Sequence, residues 1–170
     1  MPGPSRLNAA YRNVIGLRAL RTYEERPLSD PDLHAILEAA RWTGTAKNRQ
    51  SWSIVVVNER EQKERLAGCG DFTAPVRDAP LVLALVQESA AYEFDIGRLA
   101  QNIMLAAKAV GVATCPVTLH RTDDAASVLG LPDGARCRYG IAMGYPAAGA
   151  APSQFNGRKD LDTFLHWNRY

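Results

Sequence analysis

The chain has 170 residues, 46% of them hydrophobic, which allows one ordinary core and leaves little room for a second domain. Its formal net charge of +2, from 20 basic and 18 acidic residues, is too small to predict a nucleic-acid partner. The apolar runs fall short of the roughly 20 residues that cross a bilayer, so no membrane association is expected. Three cysteines without Cys-x-x-Cys spacing, and an N-terminus without a signal pattern, favour the reducing cytoplasm.

Hydrophobic periodicity predicts helices along most of the chain. The second one is expected to start with Asp30 as its cap and Pro31 at the first helical position. The fourth carries the strongest signal, so we expect it to be the central core helix, ended by Gly111 in a left-handed conformation. The predicted helices are residues 5–17, 30–40, 59–67, 95–110, 122–129 and 161–167.

Three apolar, mostly β-branched runs predict strands, at residues 52–58, 80–87 and 138–145. Residues 111–118 are interpreted as a turn followed by a short extended piece. The small residues of 147–153 predict a loop that releases a C-terminal tail, about 147–170, from the body. This order lacks the regular strand–helix alternation of a doubly wound sheet.

Arg18 and Arg21 are spaced three apart, so we expect both guanidiniums on one helical face, where their planar forks can hold a phosphate in bidentate fashion. The alternative is that both arginines are solvated or form surface salt bridges, because Glu24 and Glu25 follow closely. Taken alone, the spacing therefore does not establish a phosphate site.

Asn48 and Gln50 belong to a polar run directly before a predicted buried strand. Their amide donors and acceptors suit the edge of a heterocycle, although both could simply stabilise a turn. A phosphorylated aromatic cofactor would need both the arginines and the amides.

Other candidates are weaker. The three histidines are scattered and no cysteine pair accompanies them, so we expect no metal site. Cys115 is better interpreted as a small packing residue than as a redox thiol, because no resolving cysteine is evident. Trp42 and Trp52 are expected in the core or an interface. There is no nucleophile elbow and no dinucleotide glycine fingerprint.

Several segments occur in the order found in one known family. They are residues 18–23, 26–28, 39–42, 48–52, 95–112, 129–132, 144–146 and 157–162. On these segments the chain resembles the nitroreductase-like FMN-dependent oxidoreductases, in a short form. The resemblance implies an α+β, three-layer α/β/α fold with a mostly antiparallel central sheet. It also implies one domain over residues 1–170 and a homodimer whose tails, about 147–170, cross to the partner subunit.

The resemblance further implies a cofactor, a reaction and a site. FMN would lie in each of two interfacial clefts, with NAD(P)H as a transient donor of a hydride to flavin N5. An electrophilic acceptor such as a nitroaromatic or a quinone would then take the electrons. No side chain is named as catalytic. The implied cofactor-binding residues are Arg18, Arg21 and Arg158 for the phosphate, Asn48 and Gln50 at the ring, and Pro116 and Thr118 near N5.

Three departures from the family pattern shape what we expect. Leu17 and Ala19 stand where many relatives have arginine and serine, which predicts weaker phosphate binding. Ser51 replaces a proline that commonly follows the Asn-x-Gln sequence. Only residues 88–94 separate the second strand from the central helix, which predicts an open, permissive active site.

Two further functions remain open at this stage. One is a flavin-dependent dehydrogenase of a biosynthetic intermediate, since relatives include such enzymes. The other is a non-catalytic flavin-binding or sequestering dimer, which the substitutions Leu17 and Ala19 motivate.

Overall fold

A four-stranded antiparallel sheet lies at the centre of the fold in the computed structural model, which describes residues 8–154 and 157–170. The strands are β1 (Trp52–Val57), β2 (Leu81–Gln87), β3 (Ala113–Thr118) and β4 (Arg136–Gly144). They lie in the order β1-β2-β4-β3, so β1 and β3 form the two edges. The three predicted strands are confirmed, and the piece predicted as short and extended is the full strand β3.

Helices cover both faces of the sheet. They are α1 (Ala9–Ile15), α2 (Asp30–Arg41), α3 (Arg60–Ala67), α4 (Ala74–Asp78), α5 (Glu93–Ala109) and α6 (Thr122–Leu129). On one face α2 and α5 bury residues such as Ile36 and Ile103 against the sheet. On the other, α3, α4 and α6 bury Leu66, Val76 and Ala125. The predicted α+β arrangement with helices on both sides is therefore confirmed.

Local details refine the helix predictions. Ser29, not Asp30, caps α2, because its hydroxyl accepts a hydrogen bond from the backbone N–H of Asp32 at 3.3 Å. Gly111 has φ +78°, so the predicted left-handed residue after α5 is confirmed. The five-residue helix α4 was not predicted, since it is too short to show a helical period.

The prediction that Arg18 and Arg21 share a helical face is wrong. Helix α1 ends at Ile15, and residues 17–22, which include both arginines, are not helical. The N–H of Leu20 donates to the carbonyl of Thr114 at 3.0 Å, so this segment satisfies its backbone along β3 instead of continuing a helix. Both arginines therefore lie beside the β3 edge of the sheet.

The predicted tail helix over residues 161–167 is also wrong, because the structure has only a 3-10 turn at Leu161–Thr163. A short helix is marginal unless an apolar face packs on something. Here the apolar tail side chains are exposed: Leu161, Phe164, Leu165, Trp167 and Tyr170. Within the described ranges, no helix is long and apolar enough to cross a membrane.

Candidate functional site

A cavity of about 420 Å³ lies beside the β3 edge. Its walls come from the segment that follows α1, from β3 and the residues just after it, and from the loop between α3 and α4. The lining residues are Arg21, Phe72, Cys115, Pro116, Val117, Thr118 and His120. The fold thus brings together three of the predicted site residues, namely Arg21, Pro116 and Thr118.

Arg21 is a cationic residue of this cavity, and Ser153 holds its guanidinium. Its Nη1 donates to the hydroxyl of Ser153 at 2.9 Å, so the start of the tail directs the guanidinium. The same guanidinium acts on the thiol of Cys115, where burial raises the pKa and Arg21 partly offsets that rise. Cys115 is almost fully buried, which agrees with its interpretation as a packing residue.

Arg18 lies in a different, neighbouring cavity of about 270 Å³. Its Nη1 donates to the carbonyls of Ile15 at 2.9 Å and Leu17 at 2.7 Å. Lys108, which lines the same cavity, donates to the carbonyl of Asn13 at 2.9 Å. Both cations therefore bind carbonyls at the C-terminal end of α1, where the helix dipole is negative.

Asn48 and Gln50 lie in an unusual loop before β1. Lys47, Asn48 and Gln50 all have φ between +51° and +54°, a region that non-glycine residues seldom occupy. The Nε2 of Gln50 donates to Oδ1 of Asn48 at 3.0 Å, so the two amides are already paired. Helix α5 fixes the loop through Asn102, whose Nδ2 donates to the hydroxyl of Thr43 at 2.9 Å. Backbone strain of this kind persists only where surrounding contacts impose it.

One chain does not bring all the predicted residues together. Asn48 and Gln50 precede β1, whereas Thr118 ends β3, and these strands are opposite edges of the sheet. Three inter-strand spacings, roughly 14 Å, separate the two edge strands. Arg158 is exposed in the tail and lines neither cavity.

Two residues of the cavity beside the β3 edge, His120 and Phe72, are not predicted by the sequence. The sequence predicts no functional role for His120, which is an isolated histidine, or for Phe72. His120 follows Thr118 by two residues, so the alternation of side chains along a strand could have placed both on one side. No sequence pattern places Phe72 there, because its loop meets β3 only in the folded chain.

An ion cluster lies next to these two residues. The Nδ1 atom of His120 is 3.8 Å from Oδ2 of Asp71. The Nη1 of Arg121 donates to Oδ1 of the same carboxylate at 2.8 Å. Arg121, by its hydrogen bond and its charge, lowers the pKa of Asp71, so this carboxyl stays ionised at neutral pH.

Comparison with known proteins identifies the class to which this fold and cavity belong. The model of the Nitroreductase family matches residues 16–90 and 72–145. The chain therefore belongs to the nitroreductase family and is an oxidoreductase.

Individual relatives agree with this assignment. A Thermus thermophilus protein named NADH dehydrogenase is 27% identical over 190 residues, covering 88% of this chain and 91% of that protein. The NADPH-flavin oxidoreductase of Vibrio harveyi is 24% identical over 184 residues, covering 96% and 75%. The structure of the NADPH:FMN oxidoreductase from Vibrio harveyi complexed with NAD+ has a TM-score of 0.85 at 22% identity, covering 96% and 78%. This structural likeness establishes a shared fold.

Proposed function

We propose that this protein is an FMN-dependent oxidoreductase that transfers a hydride from NAD(P)H to an electrophilic acceptor such as a nitroaromatic or a quinone. Membership of the nitroreductase family supports the reaction class. Relatives named NADPH-flavin oxidoreductase and FMN reductase (NADPH) support a flavin and a nicotinamide nucleotide. The observation that carries the proposal is the cavity in which Arg21 meets Pro116 and Thr118.

The residues of this cavity fit a flavin. Its volume lies within the range of about 300–1,000 Å³ that is usual for cofactor and ligand sites. A planar heterocycle bearing a phosphate needs apolar walls together with a cation, and the cavity offers Phe72 and Pro116 together with Arg21. In this proposal Arg21, Arg18 and Arg158 hold the phosphate, while the backbone at Pro116 and Thr118 lies near N5.

Bound FMN would supply the chemistry, since its N5 can accept a hydride from the nicotinamide and pass it to the acceptor. The chain's own contribution is binding and orientation. The guanidinium of Arg21 offers charge-assisted hydrogen bonds to an anion. Of the two residues placed near N5, only Thr118 has a backbone N–H, and this fixed donor at the end of β3 can stabilise negative charge that develops on a ring, at no cost in reorganisation.

We propose in addition that the chain, residues 1–170, acts as one domain within a homodimer and that its tail, about 147–170, crosses to the partner subunit. Two observations support this. The apolar side chains of the tail, Trp167 among them, are exposed on the single chain. Asn48 and Gln50 also precede β1, the edge strand roughly 14 Å across the sheet from β3, so a partner subunit would have to supply these amides.

The test begins with the visible spectrum of the purified protein, followed by anaerobic titration with NADH and NADPH and then with a quinone. We expect a yellow protein that is bleached by a nicotinamide and recoloured by the quinone. Protein that is colourless and does not take up added FMN would refute the proposal.

A variant tests the site itself. Arg21→Gln removes the cation, so FMN affinity should fall about 10- to 100-fold, because hydrogen bonds to charged groups contribute about 1.5–3 kcal/mol. Arg60→Gln is the matched control, since Arg60 is an exposed arginine outside both cavities. Equal FMN affinity in the two variants would show that the flavin binds elsewhere.

A further inference from the structure

We infer that His120, oriented by Asp71, donates the proton that the electron acceptor requires when it is reduced in the cavity. This inference rests on the proposed function and adds a proton donor to it. A proton donor matters only for some acceptors. Quinones and nitro compounds need protons together with electrons, whereas one-electron metal complexes do not.

The backbone places His120 on the cavity side of the sheet edge. The N–H of Leu119 donates to the carbonyl of Arg138 at 2.7 Å, which extends the pairing of β3 with β4 beyond Thr118. Leu119 is fully buried, so the alternate side chains at positions 116, 118 and 120 point the other way. All three of these residues line the cavity.

Charged groups surround His120 on the side away from the cavity and within it. Its Nδ1 faces the ionised carboxylate of Asp71, which Arg121 holds in place. The charged groups around His120 come from several elements. Asp71 and Arg121 form the ion cluster, and Arg21 lines the same cavity. Asp124 of α6 adds a negative charge that interacts with Arg121. A carboxylate beside one ring nitrogen orients the ring and leaves the other nitrogen for a ligand.

The atoms and electrons of the step balance. The quinone gains a hydride that originates from NAD(P)H and so becomes a hydroquinone anion. One proton then converts this anion into the neutral hydroquinone. In this step the N–H bond of the imidazolium breaks and an O–H bond forms on the product. The neutral imidazole regains its proton from water, because the side chain of His120 is about half exposed (45%).

The experiment follows reoxidation of the NADPH-reduced protein in a stopped-flow instrument, with either a quinone or ferricyanide as acceptor. Ferricyanide takes one electron and no proton. In His120→Gln, reoxidation by the quinone should slow about 100-fold, the usual order for general acid catalysis, while reoxidation by ferricyanide changes less than about twofold. Added imidazole should restore part of the quinone rate in His120→Ala.

Two further variants give the controls. His34→Gln replaces an exposed histidine on α2, outside the cavity, and should leave both rates unchanged. Asp71→Asn should slow the quinone step and spare ferricyanide, because it disturbs the orientation of His120 rather than the cavity. Equal loss with both acceptors in His120→Gln, or an unchanged quinone rate, would overturn the inference. Wild-type protein that binds no flavin would instead refute the proposed function.

Discussion

Gly70 offers a sharp test of how the site is built. It is buried in the loop between α3 and α4, and a Cβ there would lie 2.5 Å from the carbonyl oxygen of Thr118 and 2.5 Å from Cγ2 of Thr73. Ordinary contacts are at least 3.4 Å, so both gaps must widen by roughly 1 Å. The hydroxyl of Thr73 is bonded to the carbonyl of Ala67 at 2.6 Å, which leaves little freedom on that side.

Gly70→Ala should therefore lower the free energy of unfolding by about 1–3 kcal/mol, the usual cost of overpacking. Because the displaced oxygen belongs to Thr118 of the cavity, FMN affinity should fall as well. Stability is measured by urea unfolding at one fixed protein concentration, since dimer formation would make the midpoint depend on concentration.

The same chemical change at Gly157 is the control. No described atom lies within 4 Å of a Cβ built there, so Gly157→Ala should change stability by no more than about 0.5 kcal/mol. If Gly70→Ala were as stable as Gly157→Ala, the close packing of this loop on β3 would be refuted, and with it the placement of Phe72 and Asp71 beside the cavity.

Two other predictions concern pH. Arg41, followed by Trp42, lowers the pKa of Glu38 from 4.5 to about 2, so native stability should decline as the pH falls from about 4.5 towards about 2. Glu38→Gln should flatten that part of the curve of urea midpoint against pH, and an unchanged curve would contradict the ion pair. Burial raises the pKa of the Cys137 thiol from 9.0 to about 12, so stability should fall as the pH rises from about 9 towards about 12. Cys137→Ala should reduce that decline, and iodoacetamide at pH 8 should label Cys137 only after unfolding; rapid labelling of the native protein would show that the thiol is accessible.

Regular periodicity made much of the fold predictable. Helix α5 repeats apolar residues along one face, and β1 and β2 are dense in β-branched and leucine residues, so local pattern and tertiary burial agree. Helix α4 has only five residues, too few to show a helical period in the sequence, so it could not be predicted. The tail pattern at 161–167 is amphipathic, but its apolar residues pack on no surface formed by residues 8–154 and 157–170.

The candidate site was predictable only in part, because it forms through contacts that are distant in sequence. Pro116 and Thr118 share one strand, and Arg21 joins them through the pairing of its segment with β3. Spacing alone suggested a helical face for Arg18 and Arg21, whereas strand pairing determined their positions. Phe72 and His120 come from segments about 50 residues apart in the chain, and only the packing of the α3–α4 loop on β3 brings them together.

Strand β2 is buried on both sides along its whole length, and its two sides differ in size. Leu81, Leu83 and Leu85 face α2 and α5, whereas Val82 and Ala84 face the thinner layer of α3, α4 and α6. A slip of one residue would therefore keep every side chain in an apolar environment, yet it would force three leucines into space shaped for valine and alanine. Steric volume, not hydrophobicity, sets the alignment of this strand, and through it the positions of its two neighbours, β1 and β4.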